Sequence, residues 1–145
     1  MITGEIHTDH GIMKIEFYDD DAPKTVANFQ KLAKDGYYDG LTFHRVIPNF
    51  MIQGGCPEGT GRGGPGYTIE DEFDGVKQYH DRGVLSMANT GRPNSGGSQF
   101  FICHSRASTG HLDRRHTVFG KVVENVDIID QVKGGDKILK VVIHE

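Results

Sequence analysis

Apolar and polar residues alternate with a period of two through residues 4–8 and 12–18. Ile6, Ile12, Ile15 and Phe17 supply β-formers and His10-Gly11 a turn, so the chain opens as a hairpin. From Pro23 to Lys34 the spacing changes: Val26, Phe29 and Leu32-Ala33 recur at helical intervals, and Gly36 marks the stop. Pro23 suits a first helical turn, and the preceding Asp19-Asp20-Asp21 reads as a cap at the positive helix end rather than as a metal cluster. Two short strands around Pro48-Asn49 follow, with Phe43, Val46, Ile47, Phe50, Met51 and Ile52 as the apolar positions. Further strands are expected at 83–89, 99–103, 117–123 and 138–144, the last able to pair with the first. In 99–103, Gln99, Phe101 and Cys103 share one face and Phe100 and Ile102 the other. Residues 105–116 read as a polar loop. Val126, Ile129 and Val132 place a second helix over 124–133, stopped by Gly134-Gly135. Short strands separated by Gly-rich loops predict a mainly β fold: a closed eight-stranded antiparallel β-barrel capped by two α-helices.

Composition narrows the partners. A chain of 145 residues fits one domain, 1–145, with a real core. Net charge −4 and pI near 6.0 disfavour nucleic acid, which needs a basic face. No apolar run approaches membrane-spanning length, and Met1-Ile2-Thr3-Gly4-Glu5 has neither the basic start nor the apolar run of a leader, so a cytoplasmic monomer is expected. Cys56 and Cys103 lie in or beside apolar runs and read as small reduced core residues, with a single disulfide between them as the alternative.

Familiar catalytic engines are missing. Gly59-Thr60-Gly61-Arg62-Gly63-Gly64 fits G-x-G-x-x-G, but Pro65-Gly66 follows at once and no helix can open there to hold a pyrophosphate. Glu70 to Gly75 mimics a calcium loop with the wrong first ligand and no flanking helices, and reads as a solvated acidic loop. His111 and His116 lack a third ligand in sequence range, Cys103 and His104 point to opposite sides of a strand, and no G-x-S-x-G elbow surrounds Ser95 or Ser98. No metal and no cofactor is expected.

What remains is Phe43 to Gly55, FHRVIPNFMIQGG, where Arg45 and Gln53 sit among apolar neighbours. Taken alone, Arg45 is a surface arginine with its stem on apolar neighbours, or half of an ion pair. One reaction class, however, needs no nucleophile, metal or proton transfer. Rotating an X–Pro peptide bond requires only that the site favour the twisted state, in which amide resonance is lost and the proline nitrogen gains a lone pair. A permanently charged guanidinium aimed at that nitrogen supplies this. Phe50, Met51, Phe101 and Leu112 can make a pocket for the ring, and Gln53, Asn89 and Gln99 can hold the flanking backbone; each also has an ordinary core-packing or turn-forming reading.

FHRVIPNFMIQGG, SMAN at 86–89, SGGSQFFI at 95–102 and HTVFGKV at 116–122 together resemble the signature blocks of the cyclophilin family of peptidyl-prolyl isomerases, in register over nearly the whole chain. The resemblance implies an eight-stranded antiparallel barrel with two capping helices. It implies Arg45 as the catalytic arginine with Gln53 beside it, and Phe50, Met51, Phe101, Leu112 and His116 around the proline ring. Ala88, Asn89 and Thr90 bind the residues before proline, Asn89 through its backbone, and Gln99 supports the groove. Implied partners are proline-containing peptides and unfolded or flexible proteins. The chain departs from the pattern at three places. His111 stands where many members carry a Trp that touches the inhibitor cyclosporin, which puts cyclosporin binding in question. Thr90 replaces a common Ala, and Asn49 a common Gly. The alternative function is a proline-peptide binding module or folding helper whose catalysis is incidental.

Overall fold

The computed structural model describes residues 2–145. Strands β1 (Thr3–Thr8) and β2 (Gly11–Phe17) form the opening hairpin, with Ile6 opposite Met13. Helix α1 (Pro23–Lys34) follows, then β3 (Arg45–Ile47), β4 (Met51–Gly54), β5 (Val84–Met87), β6 (Phe100–Cys103), the one-turn helix α2 (Arg106–Thr109), β7 (Val118–Glu124) and β8 (Ile138–His144). All pairings are antiparallel, in the order β3-β4-β6-β5-β7-β2-β1-β8.

The sheet is therefore open, a curled half-barrel rather than the expected closed barrel. Its edges, β3 and β8, share no strand ladder. The seam is sewn by loops instead: Thr42 bridges Lys137, the Phe43 N–H donates to the Asp136 carbonyl (2.8 Å), and the Ile138 N–H donates to the Leu41 carbonyl (2.7 Å). The cause is local. Pro48 follows β3 at once and offers no N–H, so this edge strand stays at three residues, too short for a second ladder. β1 pairs along its length with β8, from Thr3 opposite His144.

Inside the curl lies the main core. Phe29 of α1 is its hub, with ring centroids at 4.9 Å from Tyr38, 5.1 Å from Phe119 and 5.5 Å from both Phe17 and Phe100. Val26, Leu32 and Ala33 bury the same helix face, as their spacing requires. Pro23 occupies the first turn, but the aspartates do not cap it. Glu72 does so from a distant loop: Oε1 accepts from the Thr25 N–H (2.6 Å) and hydroxyl (2.8 Å), and Oε2 accepts from the Lys24 N–H (3.2 Å). Asp21 turns the other way, accepting from Val76 N–H, Lys77 N–H and Gln78 Nε2, while Asp20 pairs with Lys77. The acidic loop is thus a structural tie, not merely a solvated one. Glu72→Ala should cost about 1–2 kcal/mol, the usual worth of a helix N-cap, read as a lower urea midpoint with unchanged m-value.

The second helix also differs from expectation. Residues 124–133 hold only a 3₁₀ turn, Val126–Asp130, entered through Asn125 at φ 63. Apolar residues three apart suit the three-residue repeat of that turn, and the β-branched Val126, Ile128 and Ile129 weaken a longer α-helix. A helix forms instead in the expected polar loop as α2, where the Thr109 hydroxyl donates to the His80 carbonyl (3.0 Å). Cys56 and Cys103 are both buried and free, so the disulfide alternative is not realised. No helix among the described residues is long and apolar enough to cross a membrane.

Candidate active site

Strands β5 and β6 are buried on both faces. Their inward residues, Leu85, Met87, Phe100 and Ile102, join the main core. Phe101, Cys103 and Val84 face outward into a second cluster with Met51 and Val118, flanked by Phe50, Ala88 and Leu112. The alternation in QFFIC therefore holds, and it puts the candidate chemistry on the outer side of the sheet. Register then aligns the row: Arg45 opposite Gln53, Gln53 opposite Phe101, Phe101 opposite Ser86. Directly opposed residues have Cβ atoms about 5 Å apart, so a guanidinium, an amide and an aromatic ring meet across three strands.

The result is a hollow of about 180 Å³ lined by Arg45, Phe50, Met51, Gln53, Ala88, Asn89, Phe101, Leu112 and His116. Met51 and Phe101 are buried and make the apolar floor. Arg45 is exposed at the rim and forms no ion pair among the described residues; its Nη1 reaches only Gln53 Oε1, at a long 3.5 Å. Gln53 is held more firmly. Its Nε2 donates to Gln99 Oε1 (3.1 Å), and Gln99 Nε2 donates to the carbonyls of Gly61 (2.8 Å) and Gly63 (2.9 Å). The Gly-rich loop thus steadies Gln99 through its backbone, and no helix follows it. Its own shape rests on the Cys56 sulfur, which accepts from Gly61 and Gly63 N–H at 3.3 Å each. Burial works to raise the Cys56 thiol, but these and further backbone donors outweigh it and hold it below its ordinary range. At Gly55, φ is +91 and a Cβ would stand 2.6 Å from the Ser98 carbonyl, so a side chain would push this loop from β6. The β3–β4 turn needs one left-handed residue, and Asn49 meets that at φ 63, which explains how it replaces glycine.

Three expected residues lie outside this hollow. Thr90 and Gln99 line a neighbouring one of about 240 Å³ that shares Gln53, Ala88 and Asn89 with it. His111 is exposed and stacks on Phe50, centroids 6.0 Å apart at 17°. Asn89 turns its side chain into its own loops, Nδ2 donating to the Arg115 carbonyl (2.9 Å) and Oδ1 accepting from Gly91 N–H (3.0 Å). No group of three or more His, Cys, Asp or Glu among the described residues could hold a metal.

Residues 3–144 match the family described as cyclophilin type peptidyl-prolyl cis-trans isomerase/CLD. The chain belongs to this family. It is 54% identical over 140 residues to a peptidyl-prolyl cis-trans isomerase of Synechococcus elongatus, covering 95% of this chain and 93% of that one. It is 57% identical over 125 residues to peptidyl-prolyl cis-trans isomerase B of Bacillus subtilis, covering 85% of each. Among solved structures, the cyclophilin-type isomerase of Cryptosporidium parvum superposes with TM-score 0.90 at 36% identity, covering 99% of this chain and 97% of that one. The same protein solved in the presence of the dipeptide Ala-Pro gives TM-score 0.88 at 35% identity, covering 99% of each chain.

Beneath the floor of this cyclophilin's hollow lies a buried chain that the sequence did not signal. Asp113 Oδ1 accepts from His80, through the backbone N–H (2.8 Å) and Nδ1–H (3.0 Å), and His80 Nε2 lies 2.8 Å from the Ser86 hydroxyl. The same three residue types serve nucleophilic catalysis elsewhere, but His80 and Ser86 are both wholly buried and cannot reach a substrate. Their position points to support. The His80 ring stacks on Phe101 (5.9 Å, 13°), and His116 meets Phe101 edge-on (5.3 Å, 84°). His116 carries its proton on Nδ1, which donates to the Met87 carbonyl (2.9 Å). Burial holds His116 below the ordinary imidazole range despite that bond, so it is neutral at pH 7.

Burial likewise lowers His44, His80 and His104. As pH falls past about 6.5, the unfolded chain takes up protons on all four rings while the folded protein does so only at lower pH. More protons on the unfolded side mean that stability falls through this window. Urea midpoints from pH 7.5 to 5 check the sign: one that stays level or rises toward acid rules out the effect.

Proposed function

We propose that this cyclophilin binds X–Pro segments of flexible or unfolded chains in its outer hollow, and that Arg45 turns the binding into catalysis. The observation that carries this is an exposed guanidinium, free of ion pairs among the described residues, on the rim of an apolar hollow of about 180 Å³. Phe50, Met51, Phe101, Leu112 and the neutral His116 enclose the proline ring. A planar imide offers Arg45 little, because the nitrogen lone pair is delocalised. As the bond turns, that lone pair localises and accepts a hydrogen bond from the guanidinium, so the interaction strengthens in the transition state. Gln53 orients Arg45 and meets the substrate carbonyl. Asn89, whose side chain is already engaged with its own loops, presents backbone to the residues before proline, with Ala88 and Thr90 beside it. His111 lies outside the proline hollow, so turnover does not depend on it, and cyclosporin would meet a small ring stacked on Phe50 in place of an indole. We read the chain as one isomerase unit that works as a monomer in the cytoplasm, a compartment that its two free buried cysteines fit.

Exchange NMR on a short X–Pro peptide tests the function directly. Catalytic amounts of protein should produce cis–trans exchange cross-peaks within a mixing time in which the free peptide, isomerising over tens of seconds or more, shows none. Peptide that shifts on binding without gaining exchange would instead identify a binding module.

A further inference from the structure

A third hollow, about 490 Å³, opens beside the proline hollow and shares Asn89, Leu112 and His116 with it. Its own wall is cationic, with Arg92 from the loop after β5 and Arg114 and Arg115 from the loop before β7. Arg114 is already engaged: Nη1 donates to the Phe73 carbonyl (2.8 Å), and its guanidinium lies 5.7 Å from the Tyr79 ring centre. Arg92 and Arg115 are exposed, and among the described residues they form hydrogen bonds through backbone atoms alone. The one carboxylate in the wall, Asp71, is occupied elsewhere. Its Oδ2 accepts from Asn94 N–H (2.9 Å), its own N–H donates to Asn94 Oδ1 (2.9 Å), and it pairs with no arginine among the described residues. This concentration of positive charge runs against a net charge of −4, so it is not the by-product of a generally basic surface. Three guanidiniums around one cavity repel one another unless an anion joins them.

We propose that this hollow receives an anionic side chain of the substrate, a carboxylate or a phosphate within a few residues of the proline, and so gives the enzyme a preference for acidic X–Pro segments. The proposal rests on the proline ring occupying the adjoining hollow. Arg92 and Arg115 are then specificity-determining residues that touch neither the ring nor the turning bond. Arginine suits both anions, because its planar fork meets carboxylate and phosphate through paired hydrogen bonds.

The test is a peptide series with one X–Pro bond, carrying Ala, Glu, Lys or phosphoserine at each of the two positions on either side of it. At low salt, Glu in at least one position should raise kcat/KM about 3–10-fold over Lys, as expected for one or two partly exposed ion pairs, and the gap should narrow in about 0.5 M salt. Phosphoserine acting alone identifies phosphate as the ligand; Glu acting as well shows that a carboxylate suffices. The double variant Arg92→Glu/Arg115→Glu should reverse the preference, and Arg92→Gln/Arg115→Gln should abolish it, both keeping the Ala peptide within about twofold of wild type. Thermal melts confirm that both variants fold. Equal rates with Glu, phosphoserine and Lys at every position, or a preference that survives both double variants, overturns the proposal. No turnover of the Ala peptide by the intact protein would instead remove the reading of the proline hollow, and this inference with it.

Discussion

Arg45→Ala should lower kcat/KM on an X–Pro peptide about 10²–10³-fold while changing the peptide dissociation constant by no more than about threefold. The split follows from where the guanidinium acts. Ground-state binding rests on the ring in its apolar hollow and on backbone contacts, none of which the substitution removes. The twisted imide alone calls on the cation, so its loss falls on kcat. Arg45→Lys should recover only part of the rate, because an ammonium does not reproduce a planar donor steadied against Gln53 Oε1. Paired titration and single-turnover measurements separate the cases. Equal losses in binding and turnover would mean that Arg45 serves only to hold peptide, and the protein would then be a proline-peptide binder with incidental catalysis.

The largest effect on folding is expected at Phe29. Phe29→Ala removes the ring that contacts Phe17, Tyr38, Phe100 and Phe119 together and leaves a void between α1 and the sheet. Burial and cavity terms together put the cost at about 3–5 kcal/mol, on the order of 10 °C in melting temperature for a chain of this length. Phe100 lies on the core side of the strand whose next residue, Phe101, floors the outer hollow, so loosening should also reach that hollow. At a temperature where the variant remains folded, kcat/KM should drop by less than tenfold. A loss approaching that of Arg45→Ala would show that α1 packing controls the chemistry far more than the geometry implies.

The two faces of the strand at 99–103 were legible because strands alternate, whereas Ala88, Thr90 and His116 came into view only through the resemblance to the family. Reading Phe101 and Cys103 on one face and Phe100 and Ile102 on the other already separates site from core. The row from Arg45 to Gln53 closes within one short hairpin, but its step to Phe101 joins strands far apart in sequence. What the chain did not disclose depends on long-range contact. Glu72 caps a helix that starts at Pro23, His80 meets Asp113 and Ser86 beneath the floor, and the sheet edges meet through Thr42 and Lys137. None of these leaves a periodic signal. The misjudged second helix differs in kind: the three-residue spacing of Val126, Ile129 and Val132 was visible, and it fits a 3₁₀ turn better than an α-helix.

The pairing of Thr3 with His144 has a practical consequence. The chain enters and leaves the fold on adjacent strands. A cargo protein grafted at either end, or at both, would hang from one corner, so the unit is suited to act as a cassette within a longer polypeptide. By the same token, a short tether could join the two ends and close the chain into a ring.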